Sequence, residues 1–228
     1  MSDKIESQMT RVKSEDGFVF DAFKASPSGS SKGGLVILQE IFGMTDQLKS
    51  LALFYAEKGY ETIVPALFDR DTPKTVVPFD DPDRGRAMAL ALDPQKVLLD
   101  VDAAAKEVGS EMGASLIGFC WGGGHAMRLA CSLDLKCSVA FYGTALEMHL
   151  KNNPQGPKCP MLFHFGSSDD YTPAKVINAV REAIPSAEIE IYEAGHAFAN
   201  DARATYVESA AVPATQKTLE FLEKYHGA

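Results

Sequence analysis

Gly118-Phe119-Cys120-Trp121-Gly122 sets a cysteine between two glycines, each two residues away. Gly-x-nucleophile-x-Gly is the pattern of a sharp turn from a strand into a helix, with serine the commoner residue at its centre. Apolar Ala114 to Gly118 reads as the strand, and Gly122 to Ser132 as the helix. Side chains two residues to either side would collide at such a turn, so glycine is used there. The turn lifts the sulfur above the sheet edge. It also puts Cys120 at a helix N-terminus, where the dipole and free N–H groups favour a thiolate. The Trp121 N–H then points toward an oxyanion formed at the attacked carbon. The competing readings are a glycine-rich turn around a buried cysteine and a phosphate loop. The second lacks the Gly-Lys-Ser/Thr sequel that such a loop uses.

A thiol in this place needs a group to take its proton and return it. Chain order at this kind of turn is nucleophile, acid, histidine, each on a loop after a strand. Met161 to Phe165 reads as a strand running into Gly166-Ser167-Ser168-Asp169-Asp170-Tyr171-Thr172-Pro173. Asp169 and Asp170 both suit the acid, and either could instead cap the helix that begins near Pro173. Ile189 to Tyr192 reads as a strand running into Glu193-Ala194-Gly195-His196, so His196 suits the base; its bland alternative is a surface histidine. His125 falls inside a helix, His149 follows a short helix-like stretch, His164 falls within a strand and His226 lies at the tail. No His-x-x-x-His or Cys-x-x-Cys spacing supports a metal, and nothing suggests a cofactor.

The elements that must position these groups are short, continuous apolar runs. Besides those above they are Leu35 to Leu38, Thr62 to Val64 and Ser138 to Tyr142, with an alternating run from Gly17 to Ala25. Continuous apolarity predicts strands buried on both faces, as in a parallel sheet. Helical patterns separate them: Asp46 to Lys58, stopped by Gly59; Pro94 to Val108; Gly122 to Ser132; Pro173 to Ile184; and a last helix ending near Tyr225, with Pro213 early in it. The expected class is α/β, a mostly parallel central sheet with helices on both faces, with ligands bound beyond the carboxyl ends of its strands. No repeat or linker divides the chain, so residues 1–228 are expected to form one domain.

The net charge of −9 argues against nucleic acid as a partner, which would need a basic face. The polar start, Met1 to Val12, holds no signal-like apolar run, and no stretch reaches the length of a membrane span. A cytoplasmic protein with reduced cysteines is expected, Cys131, Cys137 and Cys159 being mostly buried. A redox role for Cys120 lacks an evident resolving cysteine beside it.

Four segments together resemble the dienelactone hydrolase (carboxymethylenebutenolidase) family, in that family's order. They are Gln39-Glu40-Ile41-Phe42-Gly43, Gly118-Phe119-Cys120-Trp121-Gly122-Gly123, Asp169 with Pro173 four residues on, and Gly195-His196-Ala197-Phe198-Ala199. The resemblance implies an α/β-hydrolase fold and a Cys120–Asp169–His196 triad, with Asp170 as the acid's neighbour. It implies that Glu40 takes the thiol proton when substrate arrives, and that the N–H groups of Ile41 and Trp121 form the oxyanion hole. It implies a small lactone or ester substrate whose carboxylate meets arginine. Arg86 stands where one arginine is expected, with Arg84 close by. Asn200 stands where the second would be, and Arg203 is the nearby substitute. Glu40 is notable without the family: a carboxylate ending so apolar a run needs a partner or a raised pKa, unless it is a solvated loop acid. A reading of another class is a non-catalytic small-molecule-binding protein on the same fold.

Overall fold

The continuous apolar runs are strands and are buried, except the run from Ile189 to Tyr192, which is half-buried with Ile191 exposed because Glu188 and Glu190 interrupt its apolar pattern. A computed structural model describes residues 5–226. They fall into two compact units, divided between Ser115 and Leu116.

In the first unit β1 (Glu6–Lys13), β2 (Val19–Ser26), β3 (Gly34–Leu38) and β4 (Glu61–Pro65) lie in the order β1-β2-β4-β3. β1 and β2 pair antiparallel, as do β2 and β4, while β3 and β4 are parallel. All five residues of β3 are buried. The helices are α1 (Asp46–Glu57), α2 (Pro82–Ala91) and α3 (Pro94–Gly109). Thr45 caps α1 by accepting from the Leu48 N–H, and Gly59, at φ 99°, takes the left-handed turn that ends it. β1 and α2 were not among the sequence expectations. β1 is mostly exposed, with Val12 as its buried side chain, so it lacks an apolar period. The buried residues of α2 are Gly85 and Ala89, too small to signal a face.

The second unit carries β5 (Ala114–Phe119) from its third residue on, β6 (Ser138–Phe141), β7 (Met161–Gly166) and β8 (Glu188–Tyr192), in that order and all parallel. Its helices are α4 (Trp121–Ala130), α5 (Leu146–Asn152), α6 (Ala174–Ala183) and α7 (Glu208–His226). Every residue of β5, α4, β6 and β7 is buried. Pro213 lies early inside α7, as the sequence pattern has it, in the second turn. His149 sits inside α5, where the sequence reading had it following a helix-like stretch. Among the described residues no helix is long and apolar enough to cross a membrane.

Candidate active site

The chain leaves β5 and enters α4 at Cys120 without an intervening loop. Cys120 adopts φ 54° and ψ −115°, a conformation that costs a non-glycine residue about 1–3 kcal/mol. Its surroundings hold it there. The Cys120 N–H donates to Phe141 O at 3.0 Å, and the Cys120 carbonyl accepts from Gly124 N at 3.1 Å and Thr144 N at 3.0 Å. Gly118 is required by contact: a Cβ there would lie 2.0 Å from Gly122 O. Two further glycines serve packing. A Cβ on Gly123 would lie 2.7 Å from Phe141 O, and one on Gly124 would lie 2.1 Å from Thr144 O, so the glycine run lets α4 settle against the end of β6. The sulfur therefore stands at the N-terminus of a buried helix, with Trp121 as its first residue.

Asp169 and His196 arrive on two loops bolted to each other. Ser167 N donates to Tyr192 O at 2.8 Å, and Ser168 N to Ala194 O at 3.0 Å. Gly166 permits this approach, since a Cβ would lie 2.4 Å from Ala194 O. The arrangement separates the two aspartates. Asp169 is buried, and Asp170 is exposed. One Asp169 oxygen accepts from Tyr171 N at 2.8 Å, and the other from His196 Nδ1 at 2.8 Å. Neither aspartate caps α6, whose N-cap position is Pro173. An ionised carboxylate can only accept, so Nδ1 carries the imidazole proton and Nε2 offers its lone pair. Nε2 is buried and has no hydrogen-bond partner among the described residues. The imidazole packs against Tyr142, edge-on at 5.2 Å between ring centroids, and against Tyr171, tilted at 4.6 Å. Neither tyrosine was singled out from sequence, because an aromatic near a histidine in space has no spacing signature in the chain.

The other histidines are structural. In β7, His164 accepts at Nδ1 from the Tyr192 hydroxyl and donates from Nε2 to Thr218 Oγ1, both at 2.9 Å. The Thr218 proton is already given to Ala214 O, and this fixes the tautomer. His125 accepts from Arg128 Nε at 2.9 Å and packs 4.2 Å from the Trp121 ring. Burial pushes His164 down to about 3, His149 to about 4 and His226 to about 4. Below the ordinary imidazole value of 6.5 the unfolded chain takes up protons that the folded chain refuses, so stability is lost as pH falls toward 3 and is retained above 6.5. Melting temperature should drop between pH 6.5 and 4, and His164→Asn should make that drop shallower. An identical slope in the variant would remove His164 from this account.

Burial also raises the Cys131 thiol and pushes Cys159 up to about 12, so both stay protonated at neutral pH. No group of three His, Cys, Asp or Glu among the described residues could hold a metal ion. Asn200, where a second arginine stands in the family pattern, is buried, and its Oδ1 accepts from Ala202 N at 3.1 Å. Arg203 is half-buried in the same turn, its N–H on Asn200 O.

In the first unit, Glu40 follows β3 and is buried. Ile41, next to it, is half-buried. A Cβ on Gly85 would lie 2.3 Å from Ile41 O, so α2 rests its backbone directly on this loop. A bridge between Gly43 and Val76 ties the loop down on its far side, with Val77 N donating to Phe42 O at 2.9 Å. Arg84 and Arg86 are exposed on α2, Arg86 paired with Asp83 at 3.0 Å.

Comparison with known proteins bears on all of this. A family model described as the dienelactone hydrolase family matches residues 20–226. Carboxymethylenebutenolidases of Pseudomonas putida and Pseudomonas knackmussii are each 34% identical over 222 residues, covering 92% of this chain and 94% of the relative. A crystal structure from Klebsiella pneumoniae subsp. pneumoniae MGH 78578, provisionally named a dienelactone hydrolase, superposes with a TM-score of 0.87 at 28% identity. It covers 97% of this chain and 100% of that one. The expected fold class, a mostly parallel α/β-hydrolase sheet, is the one these similarities carry.

Proposed function

The chain belongs to the dienelactone hydrolase family, and from that premise we propose that it is one hydrolase domain that cleaves lactones or activated esters with Cys120 as nucleophile. The observation that carries the reading is the buried Asp169–His196 pair, with Nε2 unengaged, in the same unit as a cysteine held in a strained strand-to-helix turn.

In this reading the Cys120 thiolate attacks the carbonyl carbon, and its electron pair passes to the carbonyl oxygen. The N–H groups of Trp121 and Ile41 receive that oxyanion, each such donor being worth ~3 kcal/mol in comparable sites. Collapse expels the enolate or alkoxide and leaves a thioester. His196 protonates the leaving group where needed, then draws a proton from water to open the thioester. Asp169 holds the imidazole in the tautomer this requires. The family resemblance assigns Glu40 to the thiol proton. For a substrate carboxylate, Arg86, Arg84 and Arg203 are the candidates, Asn200 being committed to its own turn.

Because thiolate is itself a good leaving group, the tetrahedral intermediate reverts unless the substrate's own leaving group is stable. Enol lactones meet that condition, and unactivated amides do not. In this reading the substrate is a small molecule, and the net charge of −9 supports a protein without a nucleic-acid partner.

The test is hydrolysis of a carboxylated enol lactone and an uncharged enol ester by wild type and Cys120→Ala. Loss of at least ~10³-fold in the variant is expected. Equal turnover by both proteins would overturn the nucleophile. Stoichiometric labelling of Cys120 with no turnover of either substrate would favour a binding protein instead.

A further inference from the structure

The first unit carries a groove of ≈ 420 Å³, lined on its apolar side by Met9, Met44, Ala66 and Val76. Met9 and Val76 are each 51% exposed, so two large apolar side chains stay wet beside a concave surface. The size suits a small molecule, and an apolar lining with a few charged groups is the usual make-up of such sites. Met9 and Met44 are unbranched and adapt to whatever body they meet.

One buried carboxylate sets the charged side of the groove. Asp69, 6% exposed, accepts the Asp21 N–H at 2.9 Å on one oxygen and the Lys74 N–H at 2.7 Å on the other. The second bond holds Lys74 at φ 62°, in the left-handed region that a lysine seldom enters. Because main-chain N–H groups satisfy Asp69, the Lys74 ammonium has no ion-pair partner among the described residues. The Arg11 guanidinium has none either, although Asp21 stands directly opposite Arg11 on the β1–β2 ladder. Lys49, the third cation on the groove, is paired with Asp46 at 2.9 Å. What is left to meet a ligand is two cations against one half-buried carboxylate, Asp21, in a chain whose net charge is −9.

We propose that this groove binds a small amphipathic carboxylate, its apolar body on Met9, Met44 and Val76 and its anionic head on Arg11 and Lys74. A guanidinium fork and an ammonium are the donors that a carboxylate takes, and a head held by both offsets the positive charge that Asp21 leaves over. Carboxylates of this class are what ester or lactone hydrolysis releases, but the site stands whether or not Cys120 is the nucleophile.

The probe is 4-phenylbutyrate, with 4-phenylbutanol and 4-phenylbutylammonium as the same body under a neutral and a cationic head. Protein labelled at the methionine methyl carbons is titrated and followed by NMR, the Met9 and Met44 signals being assigned with Met9→Leu and Met44→Leu. Both signals should move saturably, with a Kd of roughly 10⁻⁴–10⁻³ M for so small a ligand. The alcohol and the ammonium should bind at least about fivefold more weakly. Arg11→Gln and Lys74→Gln change exposed side chains, and a thermal melt checks that both variants fold. Each should weaken the carboxylate about three- to fivefold and leave the alcohol within twofold. Equal affinity for carboxylate and alcohol, tighter binding of the ammonium, or wild-type affinity for the carboxylate in both variants would overturn the proposal. So would shifts confined to the other methionines, which would put the acid elsewhere on the protein.

Discussion

Asp169→Asn lowers kcat by about 10³–10⁴-fold while leaving melting temperature within a few degrees. The reason is the arithmetic of donors. The two carboxylate oxygens accept from two N–H groups, His196 Nδ1 and the Tyr171 backbone, each at 2.8 Å. An amide offers one oxygen and one NH₂. If the oxygen faces Tyr171, the NH₂ faces Nδ1, which must then surrender its proton and become the acceptor. The proton moves to Nε2, and the imidazole is no longer a base toward the thiol or water. If the amide turns the other way, NH₂ meets the Tyr171 N–H and the loop must open. The packing of Asp169 survives the first arrangement, so stability changes little. Steady-state kinetics with a thermal melt decides the matter. Activity within tenfold of wild type would mean that the Asp169–His196 bond only braces the loop.

Gly118→Ala gives the second large effect, on the fold around Cys120. A methyl at this position would sit 2.0 Å from Gly122 O and 2.4 Å from Gly122 C. Both are backbone atoms in the first turn of a wholly buried helix, so no side chain can swing aside. Either β5 or α4 must shift, and Cys120 lies between them. Overpacking of this kind costs about 3 kcal/mol, roughly 6–12 °C in melting temperature for a chain of this size. Turnover should fall further than stability, because Cys120 joins the two elements that must shift, while two of the three hydrogen bonds that hold it at positive φ run to Phe141 at the end of β6 and to Thr144 just beyond. A variant with wild-type melting temperature and activity would show that the turn tolerates what its contacts forbid.

Much of this was legible in the residues themselves. The buried strands announce themselves because a parallel sheet wet on neither face needs unbroken apolar runs, as in Leu35 to Leu38 and Met161 to Phe165. Asp46 to Lys58 is legible as a helix because Gly59 ends it. The strand-to-helix turn at Cys120 has so few sequence solutions that five residues identify it. β1 escaped because an exposed edge strand needs no apolar period, and α2 because it docks through Gly85 and Ala89. Which aspartate meets His196 is also a matter of where side chains point. Residue types left Asp169 and Asp170 even, and only the family pattern preferred the first. Burial and two hydrogen bonds then distinguish Asp169. Tyr171 was invisible for a related reason: its nearness to His196 comes from two loops joined by backbone bonds between residues about 25 apart.

The most direct test of the nucleophile is to catch the thioester. Wild-type protein mixed with an activated ester and quenched in acid within the first turnovers is digested and its peptides weighed. The acyl group should be found on the peptide carrying Cys120, should be removed by neutral hydroxylamine, and should persist longer in His196→Ala, where water is no longer activated. Turnover with the acyl group on another residue, or with Cys120 unmodified throughout, would contradict the account.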